Sequence, residues 1–280
     1  MSETQPFPVS GLAPFLVTKE YRRFAEFCEA CRRDRYIGLC YGPPGVGKTL
    51  SARYYAQWDL IEAVKPRWQS TDRVVPVEIA HCRTIFYTPP VANTPRGIEH
   101  AVRELRFTLT SLVDEAMPNP HPQEEDEIAK VWKPPDHTEL LIVDEADRLK
   151  MAGLEQVRDL YDHGTFGVIL VGMPGLEKRL ARYAQLYSRV GFAHAFRPLS
   201  TEEMAFLLEH HWAVWGLTLD PKDFTDTEAV AAIVRITGGN FRLLHRLFAQ
   251  IGRILTINRL HTITKEVVEA ARECLVIGTT

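Results

Sequence analysis

Short apolar runs alternate with amphipathic stretches along the first two thirds of the chain. Wholly apolar runs, typical of strands buried on both faces, occur at residues 36–41, 140–143 and 167–172. Another strand is predicted at residues 84–88, within β-type residues that extend from 74 to 87. This alternation favours an α/β fold with a parallel sheet, right-handed crossovers and a functional site at the carboxyl ends of the strands.

Helical periodicity marks the segments between and after these runs. It predicts helices at residues 18–33 and 49–58. Thr94 and Pro95 are typical of a helix start and open a helix through about residue 113. Residues 201–275 carry only helical periodicity, which predicts a small domain of about four helices.

The change of pattern near residue 200 predicts the domain organisation. We expect an N-terminal extension at residues 1–17, an αβα core at 18–199 and a helical lid at 200–280. Within the core, residues 118–137 contain five prolines and the acidic run 124–127. Such a segment favours an exposed loop.

Composition narrows the class of protein. The 280 residues are 45% hydrophobic and 25% charged, as in ordinary soluble globular proteins. The formal net charge is -3, so any nucleic-acid contact must come from a local basic surface. No apolar run approaches a membrane-spanning length and the first residues lack a secretory signal pattern, so we expect a cytoplasmic protein without a membrane partner.

Five cysteines, an odd number, argue against a disulfide framework. Cys28 and Cys31 lie three residues apart within a predicted helix, where this spacing places both on one helix face. A metal or redox site at this pair is the alternative, although no second pair of ligands has a suitable spacing.

The apolar run at residues 36–41 leads directly into Gly-x-x-x-x-Gly-Lys-Thr, here called the phosphate loop (residues 42–49). Backbone N–H groups of such a loop wrap a phosphate, Lys48 reaches the β and γ phosphates, and Thr49 places its hydroxyl on Mg²⁺. The helix that follows directs its positive end at the phosphates. A glycine-rich turn that matches by chance is the alternative. The nucleotide-binding residues are predicted to be Gly42, Pro43, Pro44, Gly45, Val46, Gly47, Lys48, Thr49 and Leu50.

A second chemical centre follows the apolar run at residues 140–143. Asp144 is placed to hold the water shell of Mg²⁺, and Glu145 to orient or deprotonate a water against the γ-phosphate. The alternative is that both are helix-capping acids. Asp147, two residues further on, is predicted to cap the next helix.

With these two centres the chain resembles the AAA+ ATPases over nearly all of residues 15–275. The resemblance implies a P-loop AAA+ module with a parallel five-stranded sheet flanked by helices, then a small all-helical lid. It also implies hydrolysis of ATP with Mg²⁺. Residues 238–242 match the motif that carries the family's sensor-two arginine, here Arg242. The arginine finger, which reaches the nucleotide of a neighbouring subunit, corresponds to Arg189.

Three other arginines remain open as the finger, namely Arg179, Arg182 and Arg197. The chain departs from the family at the sensor-one position, where a polar residue is usual and Met173 stands here. A thioether donates no hydrogen bond and accepts only weakly, so we expect slow hydrolysis.

The sequence strings at 141–150, 157–161 and 168–177 are similar to those of transposon-encoded ATPases of the TnsC, TniB and phage Mu B type. That resemblance implies ATP-dependent assembly into rings or helical filaments on duplex DNA, without sequence preference. It further implies recruitment of a transposase, with a target-site adaptor protein as a further partner, and disassembly on hydrolysis.

In the resembled proteins, DNA-facing elements include the segment that corresponds to residues 89–106, with Arg96, Arg103 and Arg106. Arg96 is preferred because a helix N-terminus also favours phosphate. Solvated charges on a helix face are the alternative, and the arginines of the first helix are a second candidate surface. Two other functions remain open: an AAA+ ATPase that acts on a protein partner, helicase-loader-like or secretion-type, without DNA, and a signalling scaffold locked by nucleotide.

Overall fold

The computed structural model describes residues 15–64, 74–117 and 136–275. It contains two compact units. The first, here called the sheet unit, comprises the described residues of 23–42 and 48–196. The second, the helical unit, comprises the described residues 15–22, 43–47 and 197–275. The boundaries predicted near residues 18 and 200 stay predictions, and residues 118–135 of the predicted acidic loop lie outside the described part.

Helices and strands alternate from the first helix to the fifth strand, and only helices follow. In chain order the elements are α1 (Lys19–Asp34), β1 (Ile37–Tyr41), α2 (Lys48–Tyr55), α3 (Trp58–Val64), a 3₁₀ turn (Val77–His81), β2 (Thr84–Tyr87), α4 (Pro95–Ala116), β3 (Leu140–Val143), a second 3₁₀ turn (Ala146–Arg148), α5 (Met151–His163), β4 (Gly167–Gly172), α6 (Leu176–Leu180), α7 (Ala184–Tyr187), β5 (Val190–Ala195), α8 (Thr201–Val214), α9 (Phe224–Thr237), α10 (Phe241–Asn258) and α11 (Lys265–Glu273).

The sheet unit is built on five parallel strands in the order β2-β3-β4-β1-β5. Strand β1 lies between β4 and β5, and its Leu39 pairs with Leu170 of β4 on one side and with Ala193 of β5 on the other. All residues of β2, β3 and β4 are buried, which explains their continuous apolar sequences. The parallel α/β fold and the five-stranded sheet are therefore confirmed.

Helix α1 turns its two cysteines inward. Cys28 and Cys31 are fully buried, and burial raises the pKa of the Cys31 thiol to about 12. A Cβ at Gly38 of β1 would lie 2.5 Å from the sulfur of Cys31, so only glycine permits this approach of helix and strand. The three-residue spacing thus serves packing against the sheet.

The helix predicted at residues 49–58 ends three residues earlier than expected. Helix α2 ends at Tyr55, and Gln57 adopts a left-handed backbone with φ 50° before α3 begins at Trp58. Trp58 and Ile61 of α3 are both buried.

The β-type residues at 74–87 form one strand and one 3₁₀ turn. Only Thr84–Tyr87 is extended, whereas Val77–His81 is a 3₁₀ turn that follows Pro76. Adjacent Ile79 and Ala80 are both buried, a pattern that a half-exposed strand does not give.

The helix start predicted at Thr94 is confirmed. The Thr94 hydroxyl accepts a hydrogen bond from the Gly97 N–H at 3.1 Å, and Pro95 occupies the first helical position. Helix α4 then continues to Ala116, three residues beyond the predicted end. Among the described residues, none of the helices combines the length and the apolar character needed to cross a membrane.

The helical unit has a core of its own, formed by α8 to α11. Its largest buried side chain is Trp212, which packs near Phe248 with the ring centroids 6.4 Å apart. Ser200 and Glu203 form a reciprocal capping box at the start of α8. Side-chain caps also begin the three following helices, so each helix has a defined start in the sequence.

One histidine is part of this core. The ring of His211 lies 4.2 Å from the ring of Phe248, centroid to centroid. Burial, together with the neighbouring His210 and His245, lowers the pKa of His211 to about 4. The folded protein therefore keeps His211 neutral at a pH where an unfolded chain takes up a proton.

We expect the His211→Phe variant to be less sensitive to acid than the wild-type chain. Below pH 6.5 the unfolded state binds a proton at His211 that the folded state refuses until about pH 4. Stability is therefore lost as the pH falls through this window, and phenylalanine removes that loss while keeping the ring contact. The melting temperatures at pH 7 and pH 5 should differ less in the variant, by a few degrees. The exposed His261→Gln should follow the wild type, and parallel pH curves for all three proteins would contradict the expectation.

Candidate active site

The two ends of the phosphate loop lie in the sheet unit. Gly42 directly follows β1, and Lys48 is the first residue of α2. The Lys48 ammonium donates a hydrogen bond to the Gly42 carbonyl oxygen at 2.6 Å. A Cβ on Gly42 would lie 2.2 Å from the Phe196 carbonyl oxygen, so glycine is required there. Lys48 thus lies across the loop, where an ammonium can exchange a carbonyl for phosphate oxygens.

The middle of the loop, residues 43–47, belongs to the helical unit and contacts the start of α10 there. Gly45 has φ +80° and its carbonyl oxygen accepts from the Arg242 backbone N–H at 2.9 Å. The Asn240 side-chain amide donates to the Pro44 carbonyl oxygen at 3.0 Å. A Cβ on Gly45 would lie 2.5 Å from the Asn240 side-chain oxygen. The predicted sensor-two segment is therefore hydrogen-bonded to the loop itself.

Asn240 makes two side-chain contacts, and neither was predicted from the sequence. Its amide nitrogen holds the loop, and its oxygen accepts from the Leu243 N–H at 3.1 Å as the N-cap of α10. The exposed Arg242 stands in the first turn that this cap creates. The Gly-Asn pair before the arginine was the available sequence signal, because asparagine is a preferred N-cap.

Thr49 and Asp144 are brought together in the sheet unit. The Thr49 hydroxyl donates to Asp144 Oδ2 at 2.8 Å, and Asp144 is only 3% exposed. Burial raises the pKa of the Asp144 carboxyl above its ordinary value, while the hydrogen bond from Thr49 and the charge of Lys48 act in the opposite direction. A charge that burial destabilises, beside a hydroxyl oxygen, is a donor set that suits Mg²⁺. When bound, such an ion neutralises phosphate charge.

Glu145 follows with a left-handed backbone, φ 49° and ψ 43°. This conformation is uncommon for residues other than glycine, and it fixes the direction in which the Glu145 side chain leaves the backbone. Its half-exposed carboxylate forms an ion pair with Arg148, which also donates to the Pro89 carbonyl oxygen at 3.0 Å. Sequence reasoning did not find Arg148, since only its i,i+3 spacing from Glu145 was visible.

The expected role of Asp147 is wrong. Helix α5 begins after Lys150 without a side-chain cap, and Asp147 instead accepts from the Met173 backbone N–H at 2.6 Å. Asp147 thus joins the carboxyl ends of β3 and β4, and a Cβ on Gly172 would lie 2.5 Å from its oxygen. Met173 directly follows β4, and its side chain is 40% exposed.

Arg189 directly precedes β5, as expected from the sequence. Its guanidinium donates to both carboxylate oxygens of Asp162, at 2.5 and 2.8 Å. The position lies at the amino end of the sheet, where β5 begins opposite Ile37.

The three rival arginines differ in their surroundings. Arg179 donates to three carbonyl oxygens around the second 3₁₀ turn, at 2.7 to 3.2 Å. These bonds give Arg179 a structural role within this chain. The side chains of Arg182 and Arg197 are exposed.

The arginines predicted for DNA are of two kinds. Arg96 and Arg103 are exposed on α4, and no ion pair holds either of them within the described residues. Two helical turns separate them, so both lie on one side of the helix. Arg106 is half-buried, paired with Asp136 and placed over the ring of Phe166 at 5.0 Å from its centroid.

Residues 31–180 match the family model described as an AAA domain. The chain belongs to the AAA family. It is also 46% identical over 274 residues to a potential ATP-binding protein of Staphylococcus aureus, covering 94% of this chain and 97% of that protein. Binding of ATP, and its hydrolysis in general, are supported by these two matches.

Two further likenesses extend the comparison of this AAA protein. The Mu-like prophage FluMu DNA transposition protein B of Haemophilus influenzae is 31% identical over 119 residues, 39% of this chain and 38% of that protein. The structure of the Thermotoga maritima RuvB Holliday junction branch migration motor has a TM-score of 0.57 at 17% identity, covering 94% of this chain and 70% of that one. The structural likeness shows the fold, and the partial sequence likeness concerns a transposition protein.

We expect Asp144→Asn to stabilise the nucleotide-free protein. The variant keeps an oxygen that accepts from Thr49 but removes a buried charge, whose raised pKa reports an unfavourable environment. The melting temperature without nucleotide should rise by a few degrees. The additional rise that wild-type protein gains from ATP and Mg²⁺ should be lost.

Calorimetric melting with and without nucleotide checks both parts. Asp147→Asn is the control, because it alters a carboxylate at the same edge of the sheet that holds only a backbone N–H. It should gain no stability. A nucleotide-free Asp144→Asn protein that melts below the wild type would show that the buried charge is satisfied by the protein alone.

Proposed function

We propose that this AAA protein is an ATP-dependent regulator of DNA transposition. It assembles as a ring or helical filament on duplex DNA, recruits a transposase, with a target-site adaptor as a further partner, and disassembles when ATP is hydrolysed. The observation that carries the proposal is the likeness to the FluMu transposition protein B, 31% identity over 119 residues. It concerns part of each chain, so the partners belong to the proposal.

In the proposed reaction, residues of the phosphate loop and Leu50 bind the phosphates of ATP. Thr49 and Asp144, joined at 2.8 Å, hold Mg²⁺. Glu145 orients the attacking water, and Arg242 contacts the nucleotide from the start of α10. Hydrolysis is slow because Met173 supplies only a weak acceptor where a polar side chain would polarise the water.

Arg189 acts on the nucleotide of a neighbouring subunit in this proposal. It precedes the strand position opposite Ile37, whereas the phosphate loop follows Tyr41 at the other end of β1. Five strand residues span about 16 Å, beyond the reach of an arginine side chain. The pairing with Asp162 then holds the arginine until a neighbour arrives.

Arg96 and Arg103 bind the phosphates of duplex DNA. Their side chains are exposed, and their spacing along α4 corresponds to about 10 Å. The chain has a net charge of -3, so a local pair of free guanidinium groups is the kind of surface that such binding requires. Phosphate contacts carry no sequence information, so little sequence preference is expected. Arg106, which is paired with Asp136, is the weakest of the three predicted contacts.

The experiment that tests the proposal is electron microscopy of the purified protein with a non-hydrolysable ATP analogue, with and without random-sequence duplex DNA. We expect nucleotide-dependent rings or filaments that coat the DNA. Lys48→Ala should form neither rings nor filaments, because the variant lacks the ammonium that contacts the phosphates of ATP. Glu145→Gln should form them with ATP itself and keep them, since it binds ATP without hydrolysing it.

Particles that form equally without DNA would support the alternative, an ATPase that acts on a protein partner. Continued ATP hydrolysis by Glu145→Gln would contradict the proposal that Glu145 orients the attacking water. Nucleotide binding by Lys48→Ala should be measured separately, so that failure to assemble is assigned to the nucleotide and not to misfolding.

A second prediction concerns the salt dependence of DNA binding. Removing one phosphate contact reduces the slope of log affinity against log salt by about 0.9. Arg96→Ala and Arg103→Ala should each reduce the slope by about this amount and weaken binding to all sequences alike. Fluorescence anisotropy with a labelled duplex at several salt concentrations measures the slope. Arg272→Ala, which removes an exposed arginine paired with Glu269, should leave the slope unchanged. Equal slopes for the wild type and all three variants would show that neither Arg96 nor Arg103 contacts a DNA phosphate.

A further inference from the structure

Two helices of the helical unit each carry charge of a single sign. Helix α8 has three glutamates and neither lysine nor arginine, whereas α10 has three arginines and neither aspartate nor glutamate. The helices α9 and α11 carry both signs. One of the glutamates, Glu203, is buried in the cap of α8, and the other two are exposed. Opposite charges are therefore separated onto two helices of one small domain.

The exposed charges of α8 belong to a stripe along one side of the helix, here called the acidic face. Its residues are Glu202, Ala205, Glu209 and Ala213, and all four are exposed. They follow one another at offsets of three, seven and eleven residues, which places them on the same side of a helix. Phe206 lies beside them with half of its side chain exposed. The acidic face thus combines two carboxylates with small and aromatic side chains.

Helix α10 has a stripe with the same spacing and the opposite sign, here called the basic face. It consists of Arg246, Ala249, Arg253 and Ile257, again at offsets of three, seven and eleven residues, and all four are exposed. The two arginines lie about 10 Å apart along the helix axis, as do the two glutamates of the acidic face. Charge and small side chains therefore alternate in the same order on both faces.

The charges of both faces are available to an outside partner. Within the described part of the chain, no ion pair involves Glu209, Arg246 or Arg253. Glu202 pairs with Lys19, but the two side chains are 76% and 66% exposed. Such an accessible pair contributes little to stability, so its exchange for another partner costs little.

We propose that the acidic face of one copy of this chain packs against the basic face of a second copy. Glutamates then meet arginines at matching intervals, and the alanines allow the two helices to approach closely. Phe206 and Ile257, the latter 65% exposed, lose contact with water in the same step. Because the faces lie on different helices, each copy offers one face to each of two neighbours, and the contact continues into a ring or filament.

This contact is too small to hold two chains together alone. Two helix faces of eleven residues bury much less than the roughly 1,200 Å² of a stable interface. It therefore forms between copies that are already held close, where the effective concentration is high. The inference rests on the proposed function for the assembly that brings the copies together.

The test uses two double variants of the full chain. Arg246→Glu with Arg253→Glu makes both faces acidic, and Glu202→Arg with Glu209→Arg makes both faces basic. Each variant alone should need about tenfold more protein for half-maximal assembly, because two attractive pairs become repulsive. Sedimentation velocity with a non-hydrolysable ATP analogue, with and without random-sequence duplex DNA, measures this concentration.

Mixing the two double variants provides the decisive measurement. In an equimolar mixture, the acidic faces of one variant meet the basic faces of the other, so assembly should return to the wild-type concentration. A variant that fails because it is misfolded is not restored by mixing. Arg235→Glu with Arg272→Glu is the control, because it changes the net charge equally at exposed positions of α9 and α11. It should assemble like the wild type.

The outcomes separate this inference from the proposed function. If the wild type assembles with the analogue but does not bind DNA, the proposed function fails and mixing still decides the contact. If the wild type coats DNA and both variants assemble as it does, the contact is refuted and the proposed function stands. Loss of assembly that mixing does not restore also refutes the contact. Impairment of the α10 variant alone, with weaker DNA binding, would assign the basic face to DNA phosphates instead. A wild type that never assembles would refute both proposals.

Discussion

The carboxylate of Asp144, buried at the end of β3, is the constraint on which the arrangement of the site depends. Burial disfavours its charge, whereas the hydrogen bond from the Thr49 hydroxyl, a backbone N–H at Glu145 and the charge of Lys48 act in the opposite direction. Asp144 is buried because β3 lies between β2 and β4, whose apolar residues exclude water, and this exclusion raises the free energy of the charged carboxylate. A cation at this point therefore finds a ligand that is both fixed and incompletely satisfied.

Glycine at Gly45 provides a second constraint of a different kind. Its left-handed backbone and the close approach of Asn240 tie the middle of the phosphate loop to the start of α10. A substrate that moves the loop must move this helix start as well. Within the helical unit, residues 43–47 are thus held by hydrogen bonds from Asn240 and from the Arg242 backbone N–H.

The features that are local in the chain could be predicted from the sequence, and so could the parallel sheet and the pairing of Thr49 with Asp144. Other contacts between distant segments could not. The phosphate loop, the apolar strands and the Thr94 cap each depend on neighbouring residues, and periodicity or residue type suffices to find them. The bond between Asn240 and Pro44 joins residues 196 positions apart, so no local pattern reports it. The role of Asp147 was wrongly predicted for the same reason, because its partner Met173 follows another strand, β4.

The position of Arg189 has a consequence for how activity depends on the amount of protein. Under its proposed role, each chain carries the nucleotide site at one end of the sheet and the completing arginine at the other, held by Asp162. A dilute chain is then only half of a hydrolytic centre. Turnover per chain rises with concentration until neighbours are saturated. At low protein concentration little ATP is hydrolysed, and hydrolysis begins when the local concentration is high enough for chains to be neighbours.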